Sequence, residues 1–146
     1  MAVEDETLTI RELIRRSRQA VYDHDRAGWL ALWAPDAVIQ DPVGPSPFDK
    51  EGNGHHGPQA IAAFYDNVIG PNERITFEID RSYECGNEVA DVGLIRTILP
   101  GGKHVAIVHG VFTYRSNGEG QLAGMRAYWE FSKAELVSRV VSCFTV

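Results

Sequence analysis

The hydrophobic pattern of this chain changes its period once, near the midpoint, and that change constrains the fold more than any other sequence feature. In the first half, apolar residues recur at the helical spacing of about 3.6 residues, as at Ile10, Leu13 and Ile14. From Ile75 onward apolar and polar residues alternate, which is typical of strands with one buried face. Helices followed by antiparallel strands predict an α+β fold, in which the helices pack on one face of a curved sheet.

End signals divide the first half into three helices. Thr9 begins a capping box, in which its hydroxyl satisfies a free backbone donor of the first helix. Asp25 caps a short second helix that runs through Trp33. The third helix carries Pro58 in its first turn and stops at a Gly-Pro pair at positions 70–71.

Turn residues bound the predicted strands. A short strand at Ala37–Asp41 is stopped by Pro42. Consecutive hairpins follow the strand near Ile75, with strands at Glu88–Leu99, Lys103–Ser116 and Gln121–Phe131. Asp91 and Arg96 lie on opposite faces of the first of these, and the apolar pattern does not show which of them faces inward. The apolar segment Glu135–Val146 fits either a last strand or a cover over a sheet edge.

Length and charge exclude a class of partner. A chain of 146 residues is expected to form one domain over 1–146, with enough interior for a ligand. It carries 20 acidic and 14 basic residues, a net charge of −6. Nucleic-acid backbones are bound by clustered Lys and Arg, and the basic triplet Arg15, Arg16 and Arg18 is expected to be a solvated helix face. We therefore expect no nucleic-acid partner.

The sequence carries no signal for a membrane span or a metal site. No apolar run reaches the ~18 residues that span a bilayer, and the first six residues are acidic where a signal peptide is basic. We therefore expect no membrane partner and a cytoplasmic location. Cys85 and Cys143 lack metal-ligand spacing, and His55 and His56 have no third ligand at a suitable spacing. We expect no metal.

Three segments resemble bacterial steroid Δ-isomerases, the ketosteroid isomerases, in sequence and in order. They are HDRAGWLALWAPDAVIQDPVG at 24–44, GPQAIAAFYDNVIG at 57–70 and GVFTYRSNGEGQLAGMRAYW at 110–129. The wider group is the nuclear-transport-factor-2-like (NTF2-like) superfamily, which includes the SnoaL-like proteins. The resemblance implies a conical α+β barrel, with three helices closing a strongly curved, mostly antiparallel sheet around an apolar pocket. It also implies a homodimer formed through the convex face of the sheet.

The resemblance implies that Asp41, in the Asp-Pro-Val-Gly segment, is the general base that moves a proton beside a ketone. From the residues alone, Ile39 and Asp41 share one strand face, and Pro42 cannot donate to a ladder, so the carboxylate can project into a cavity. Burial there would raise its pKa and make it a stronger base. The alternative is a turn aspartate that accepts hydrogen bonds from nearby backbone N–H groups.

Two positions depart from the family pattern. The family stabilises a dienolate oxygen with a tyrosine on the first helix and a protonated aspartate on a late strand. Ser17 and Phe112 stand at those positions here. Losing one such donor typically costs about 3 kcal/mol of transition-state stabilisation. Tyr65 matches a family tyrosine on the third helix and is the expected replacement, and the alternative is a core tyrosine with its hydroxyl at the rim.

Further residues are expected, by the resemblance, to line the pocket as a group, although each is explained equally well as core. These substrate-binding candidates are Trp33, Phe112, Tyr114, Met125, Ala127 and Trp129, together with the hydroxyl of Ser17. An apolar, steroid-like small molecule is the ligand that such a pocket would take.

The leading functional hypothesis is a steroid Δ-isomerase-like enzyme that transfers an allylic proton on a 3-ketosteroid or a similar polycyclic ketone. Such chemistry needs a positioned base and a polarised carbonyl, so we expect no cofactor. One alternative is a noncatalytic protein that binds steroids or other hydrophobic small molecules. Another is a SnoaL-like cyclase, dehydratase or epoxide hydrolase that uses Asp41 as acid or base.

Overall fold

Caps begin the helices where the sequence predicts them. The computed structural model describes residues 7–139, so Cys143 and most of the apolar tail lie outside it. Within this range the helices are α1 (Ile10–Tyr22), α2 (Arg26–Leu30) and α3 (Gly57–Phe64). The Thr9 hydroxyl caps α1 by accepting a hydrogen bond from the backbone N–H of Glu12 at 3.2 Å. The Asp25 carboxylate caps α2 by accepting one from the backbone N–H of Gly28 at 2.9 Å. A wider π-helical turn, Tyr65–Ile69, continues α3.

The strands form one curled sheet that does not close. They are β1 (Trp33–Gln40), β2 (His55–His56), β3 (Arg74–Cys85), β4 (Glu88–Ile98), β5 (His104–Ser116), β6 (Leu122–Tyr128) and β7 (Glu135–Ser138). The order is β2-β1-β6-β5-β4-β3, and β7 pairs with β5 beyond the end of β6. All these pairs are antiparallel except β1 with β6. This confirms the predicted α+β fold, a cone-shaped barrel of helices on a mostly antiparallel sheet.

Bulges and glycines bend the sheet around its concave face. The pairing register shifts in β3 between Ile79 and Arg81, and such a bulge increases the local bend and twist. Close to it, Gly93 on β4 pairs with Gly110 on β5. A Cβ atom at Gly93 would collide with the backbone carbonyl of Glu78 on β3. The glycine therefore lets β3 and β4 approach closely at this point.

The core fills the space between α1, α3 and the concave face. Leu13 from α1, Ile61 from α3 and Phe112 from β5 are each at most 1% exposed. The alternating residues of β3, including Ile75 and Phe77, pack against the same cluster. One apolar interior therefore joins the helical half to the sheet half of the chain.

Two element boundaries differ from the prediction. Trp33 was expected in the second helix but begins β1, because it pairs in parallel with Leu122 and the carbonyl of Leu32 accepts from the N–H of Leu122 at 2.8 Å. Strand β6 ends at Tyr128 and not at Phe131, because Phe131 starts a 3₁₀ turn that leads into β7.

The structure also answers the questions left open by the strand pattern. Asp91 faces the interior at 2% exposure, whereas Arg96 faces outward and donates to Glu78 at 2.8 Å. The start of the apolar tail is a strand, β7. No helix in the part of the chain described here is long and apolar enough to cross a membrane. The cytoplasmic location and the single domain over 1–146 stay predictions.

Candidate functional site

A cavity of about 550 Å³ lies between the helices and the concave face of the sheet. Its wall is mostly aliphatic and aromatic. The polar side chains in the wall are Ser17, Asp41, Asn67, Asn72, Thr97, Tyr114 and Glu135. A mostly apolar cavity of this size with a few polar groups is typical of sites for small, mainly apolar ligands. A second, more open groove of about 450 Å³ runs between α1 and β3.

Asp41 follows β1 directly and reaches the cavity from the end of that strand. The pairing of Ile39 with Met125 and the hydrogen bond from the N–H of Val43 to the carbonyl of Ala127, at 2.9 Å, hold this end of β1 against β6. The indole N–H of Trp129 donates to Oδ1 of Asp41 at 2.7 Å. Within residues 7–139 no other group donates to Asp41, so its Oδ2 is free to meet a ligand. The turn-aspartate alternative does not describe this carboxylate.

The environment makes Asp41 more basic than an aspartate in water. Protein around the carboxyl group removes water from it, and this desolvation raises the pKa of Asp41 above its ordinary value. The hydrogen bond from Trp129 lowers the pKa and opposes part of that effect. A carboxylate with a raised pKa and one free oxygen is suited to take a proton from a weak carbon acid.

Tyr114 lies on β5, faces the same cavity and is 3% exposed. The guanidinium carbon of Arg18 lies 5.3 Å from the centre of its ring, and Nη2 of Arg18 donates to Asp91 at 2.6 Å. Burial raises the pKa of Tyr114, Arg18 lowers it, and the charges of Asp41 and Asp91 raise it. The phenol therefore keeps its proton at neutral pH.

The structure brings most of the predicted site residues together. The predicted residues that line the cavity with Asp41 are Ser17, Trp33, Tyr114, Met125 and Trp129. Phe112 does not line it, because its fully buried side chain packs edge-on against Phe77, with ring centres 6.0 Å apart. Ala127 is also fully buried and outside the lining.

Tyr65 is not among the residues that line the cavity, and its expected role as a replacement donor stays a prediction. Its ring packs on Trp29, with ring centres 5.3 Å apart, and the residue is 4% exposed. Burial raises the pKa of Tyr65, and the charged groups that affect it further are Asp25, Arg26 and Asp66. Asp25 caps α2, Arg26 begins it, and Asp66 lies in the π-helical turn that also contains Tyr65.

The sequence pattern does not reveal the ion pair of Arg18 with Asp91, because the basic triplet predicts a solvated helix face. Arg15 and Arg16 do lie in solvent, but the Arg18 side chain is only 21% exposed. Its spacing of four residues from the buried Ile14 was the available signal, because it places Arg18 at the edge of the apolar stripe of α1.

The two paired histidines make separate contacts in the structure. The His55 ring packs on Phe64 with ring centres 4.7 Å apart, and burial lowers the pKa of His55. Nε2 of His56 lies 2.7 Å from the carbonyl of Asn53. Among residues 7–139 no three His, Cys, Asp or Glu side chains are grouped to hold a metal ion.

Comparison with known proteins identifies the family. Residues 14–125 match the SnoaL-like domain family. The Δ5-3-ketosteroid isomerase from Mycobacterium sp. is 36% identical, with a TM-score of 0.82 over 88% of this chain and 98% of that one. RV0760c from Mycobacterium tuberculosis, solved in complex with estradiol-17β-hemisuccinate, is 37% identical, with a TM-score of 0.77 over 84% of this chain and 95% of that one. A computationally designed 17-OHP binder is 32% identical, with a TM-score of 0.79 over 86% of this chain and 95% of that one. The chain is a member of the SnoaL-like domain family and has the NTF2-like fold of the ketosteroid isomerase-like proteins.

Proposed function

We propose that this protein catalyses a steroid Δ-isomerase-like reaction, an allylic proton transfer on a 3-ketosteroid or a related polycyclic ketone, with Asp41 as general base. The observation that carries the proposal is the carboxylate of Asp41 in a mostly apolar cavity, with Oδ1 bound by Trp129 and Oδ2 open to a ligand. The similarity to a ketosteroid isomerase and to two proteins that bind steroid-like ligands supports the substrate class.

The step that Asp41 would perform is an intramolecular shift of one proton. Oδ2 takes a proton from the carbon beside the ketone, and the electron pair of that C–H bond moves towards the ketone oxygen to form a dienolate. The protonated Asp41 then gives the proton to the far carbon of the dienolate, which regenerates the ketone and the carboxylate. Trp129 fixes the orientation of the carboxyl group during both transfers.

The proposal is tested by incubating the purified protein with a β,γ-unsaturated 3-ketosteroid and following the conjugated enone by ultraviolet absorbance. We expect turnover by the wild type and a rate lower by about 10³-fold for Asp41→Asn. Equal rates in the two proteins would remove Asp41 from the reaction.

Trp129→Phe is expected to change the pH dependence of the reaction as well as its rate. The hydrogen bond from Trp129 lowers the pKa of Asp41, so its removal raises that pKa further. The acidic limb of the kcat/KM profile should therefore move to higher pH, with a drop of about tenfold in kcat on the plateau because the carboxylate is less well oriented. A limb that stays in place would show that Asp41 is not the group that titrates.

A noncatalytic steroid-binding role is the second candidate. Ser17 and Phe112 stand where the family has its two donors, and two of the similar structures are described by the steroid-like ligands that they bind. A binding protein would show a rise in melting temperature with 3-ketosteroids and no formation of conjugated enone. Turnover that depends on Asp41 excludes this candidate.

We also propose that the protein forms a homodimer through the convex face of the sheet. Val92, Leu94, Ile107 and Val111 are only half-buried there, and Tyr128 is 42% exposed. Light scattering after size-exclusion chromatography should give twice the chain mass for the wild type. It should give a monomer for Leu94→Asp, because a charge at an apolar contact costs desolvation. A wild type of single-chain mass would contradict this proposal.

A further inference from the structure

The cavity wall holds several groups that could donate a hydrogen bond to a ligand oxygen, and most of them are engaged or covered. The ring N–H of Trp129 is bound to Asp41. The side-chain amide of Asn72 donates to two backbone carbonyls of the preceding turn, at 2.6 and 3.1 Å. The ring N–H of Trp33 is buried under protein atoms without a partner among residues 7–139, so a ligand cannot reach it.

Two of the hydroxyls in the cavity wall are buried, those of Ser17 and Tyr114. They are 4% and 3% exposed, whereas Asn67 is exposed and Thr97 only half-buried. The Ser17 hydroxyl stands one bond beyond its Cβ, close to the helix backbone. The Tyr114 hydroxyl stands at the far end of an aromatic ring in the cavity wall, so it lies further from its own backbone than the Ser17 hydroxyl does.

Tyr114 and Asp41 lie on the same concave face, with strand β6 between their two strands. In the sheet, Ile39, Met125 and Tyr114 form one row across β1, β6 and β5. Asp41 follows Ile39 by two residues, so it begins the next row with its side chain on the same face. The two groups are also electrostatically coupled, since the charge of Asp41 contributes to the raised pKa of Tyr114.

Arg18 supplies a positive charge next to the ring of Tyr114. Its guanidinium lies against the rings of Tyr114 and Phe77, at 5.3 and 4.7 Å from their centres, and Asp91 holds it in place. A guanidinium has donors and no acceptor, so it can polarise the phenolic oxygen but cannot take the phenolic hydrogen. Within residues 7–139 no group accepts a hydrogen bond from the Tyr114 hydroxyl. A ligand oxygen in the cavity can therefore accept it.

We propose that Tyr114 donates a hydrogen bond to the ketone oxygen of the substrate, and that Arg18, held by Asp91, is a positioning residue whose charge stabilises the negative charge formed there. This inference rests on the proposed proton transfer and names what takes the place of the donors replaced by Ser17 and Phe112. As Asp41 takes the proton it loses its negative charge, and that charge appears on the dienolate oxygen. Tyr114 keeps its proton throughout, and its hydrogen bond strengthens as the charge develops.

The first test compares Tyr114→Phe with Tyr83→Phe, a matched loss of a hydroxyl from an exposed tyrosine on β3. We expect Tyr114→Phe to lower kcat about 10²-fold and to change KM by less than about threefold, because the hydrogen bond matters most in the transition state. Tyr83→Phe should match the wild type, since Tyr83 is 54% exposed and outside the cavity. If Tyr114→Phe keeps kcat within about threefold of the wild type while Asp41→Asn is inactive, the inference fails and the proposed function stands.

A binding experiment tests the inference even if the wild type shows no turnover, in which case the proposed function itself fails. Tryptophan fluorescence would measure the affinities of a 3-ketosteroid and of the matched steroid without the 3-oxygen. The wild type should prefer the ketone, and Tyr114→Phe should lose about fivefold of that preference, in line with one hydrogen bond. An unchanged preference would overturn the role of Tyr114.

The positioning role of Arg18 is tested with the double variant Arg18→Gln/Asp91→Asn, which removes the charge without leaving a buried carboxylate unpaired. We expect about a tenfold drop in kcat with KM within about threefold, and partial recovery in Arg18→Lys, which keeps the charge. A double variant with the wild-type kcat would show that the ion pair only supports the fold.

Discussion

Asp41→Asn is expected to lower kcat about 10³-fold while making the protein more stable at neutral pH. The amide cannot take a proton from carbon, and general-base catalysis contributes rate factors of about 10²–10⁴. The measurement is the rate of enone formation at saturating 3-ketosteroid. The binding of the steroid should change much less, because the amide has nearly the shape of the carboxylate and still accepts from Trp129.

The stability change follows from the pKa of the same carboxyl group. Desolvation raises the pKa of Asp41 in the folded protein above its ordinary value of 3.8. Ionising Asp41 therefore costs folding free energy, a cost that is absent well below the unfolded pKa and complete above the folded pKa. The amide introduced by Asp41→Asn does not ionise, so this variant should melt at a higher temperature at pH 7, by about 2–4 °C for each kcal/mol relieved.

The stability effect depends on pH in a way that separates it from a general change of structure. The difference in melting temperature between Asp41→Asn and the wild type should shrink as the pH falls towards the unfolded pKa. A variant that is less stable than the wild type at pH 7 would show that the carboxylate is compensated by contacts beyond Trp129. Normal turnover by the variant would remove Asp41 from the mechanism.

The second large effect is expected for Arg18→Met, which should lower the free energy of unfolding by about 3 kcal/mol. Asp91 is 2% exposed, and Arg18 is its ion-pair partner at 2.6 Å. Removing one partner of a buried pair leaves the other charge uncompensated in the interior. The measurement is urea unfolding at neutral pH, followed by tryptophan fluorescence and by circular dichroism.

The control for this loss is a second arginine of the same helix. Arg15 pairs with Glu12 at 2.7 Å, but its side chain is 62% exposed, so water replaces the pair when Arg15→Met is made and little stability should be lost. The double variant Arg18→Met/Asp91→Leu should recover most of the loss, because two apolar groups need no partner. Equal losses for Arg15→Met and Arg18→Met would contradict a buried, energetically coupled pair.

Local signals were sufficient to predict the α+β class, whereas the cone-shaped barrel was predicted from the family resemblance. Thr9 and Asp25 cap the helices where the capping rules place them, and the alternation from Ile75 onward gives the strands their buried face. The end of α2 was predicted too late because Trp33 continues the helical spacing from Trp29. Its place in β1 is decided by pairing with Leu122, and local periodicity carries no information about so distant a partner.

The site was predictable in part. Strand alternation and the family resemblance together indicate that Asp41 and Tyr114 share a cavity, and both line it. The contacts that govern their chemistry join distant segments and leave no local pattern. Arg18 and Asp91 are 73 positions apart, and Asp41 and Trp129 are 88 apart. The role of Tyr65 stays a prediction, and the packing of its ring on Trp29 is likewise a contact that the sequence pattern does not show.

Because β1 pairs in parallel with β6, the cavity forms only when both halves of the chain have folded. Asp41 is held against Trp129 only when the segment at 33–40 lies beside the segment at 122–128, so no isolated half of the chain can assemble the site. Ligand affinity and cooperative unfolding should consequently report the same event, and a bound steroid should raise the melting temperature by mass action. A mutation far from the cavity that loosens β6 would then weaken ligand binding as surely as one in its wall.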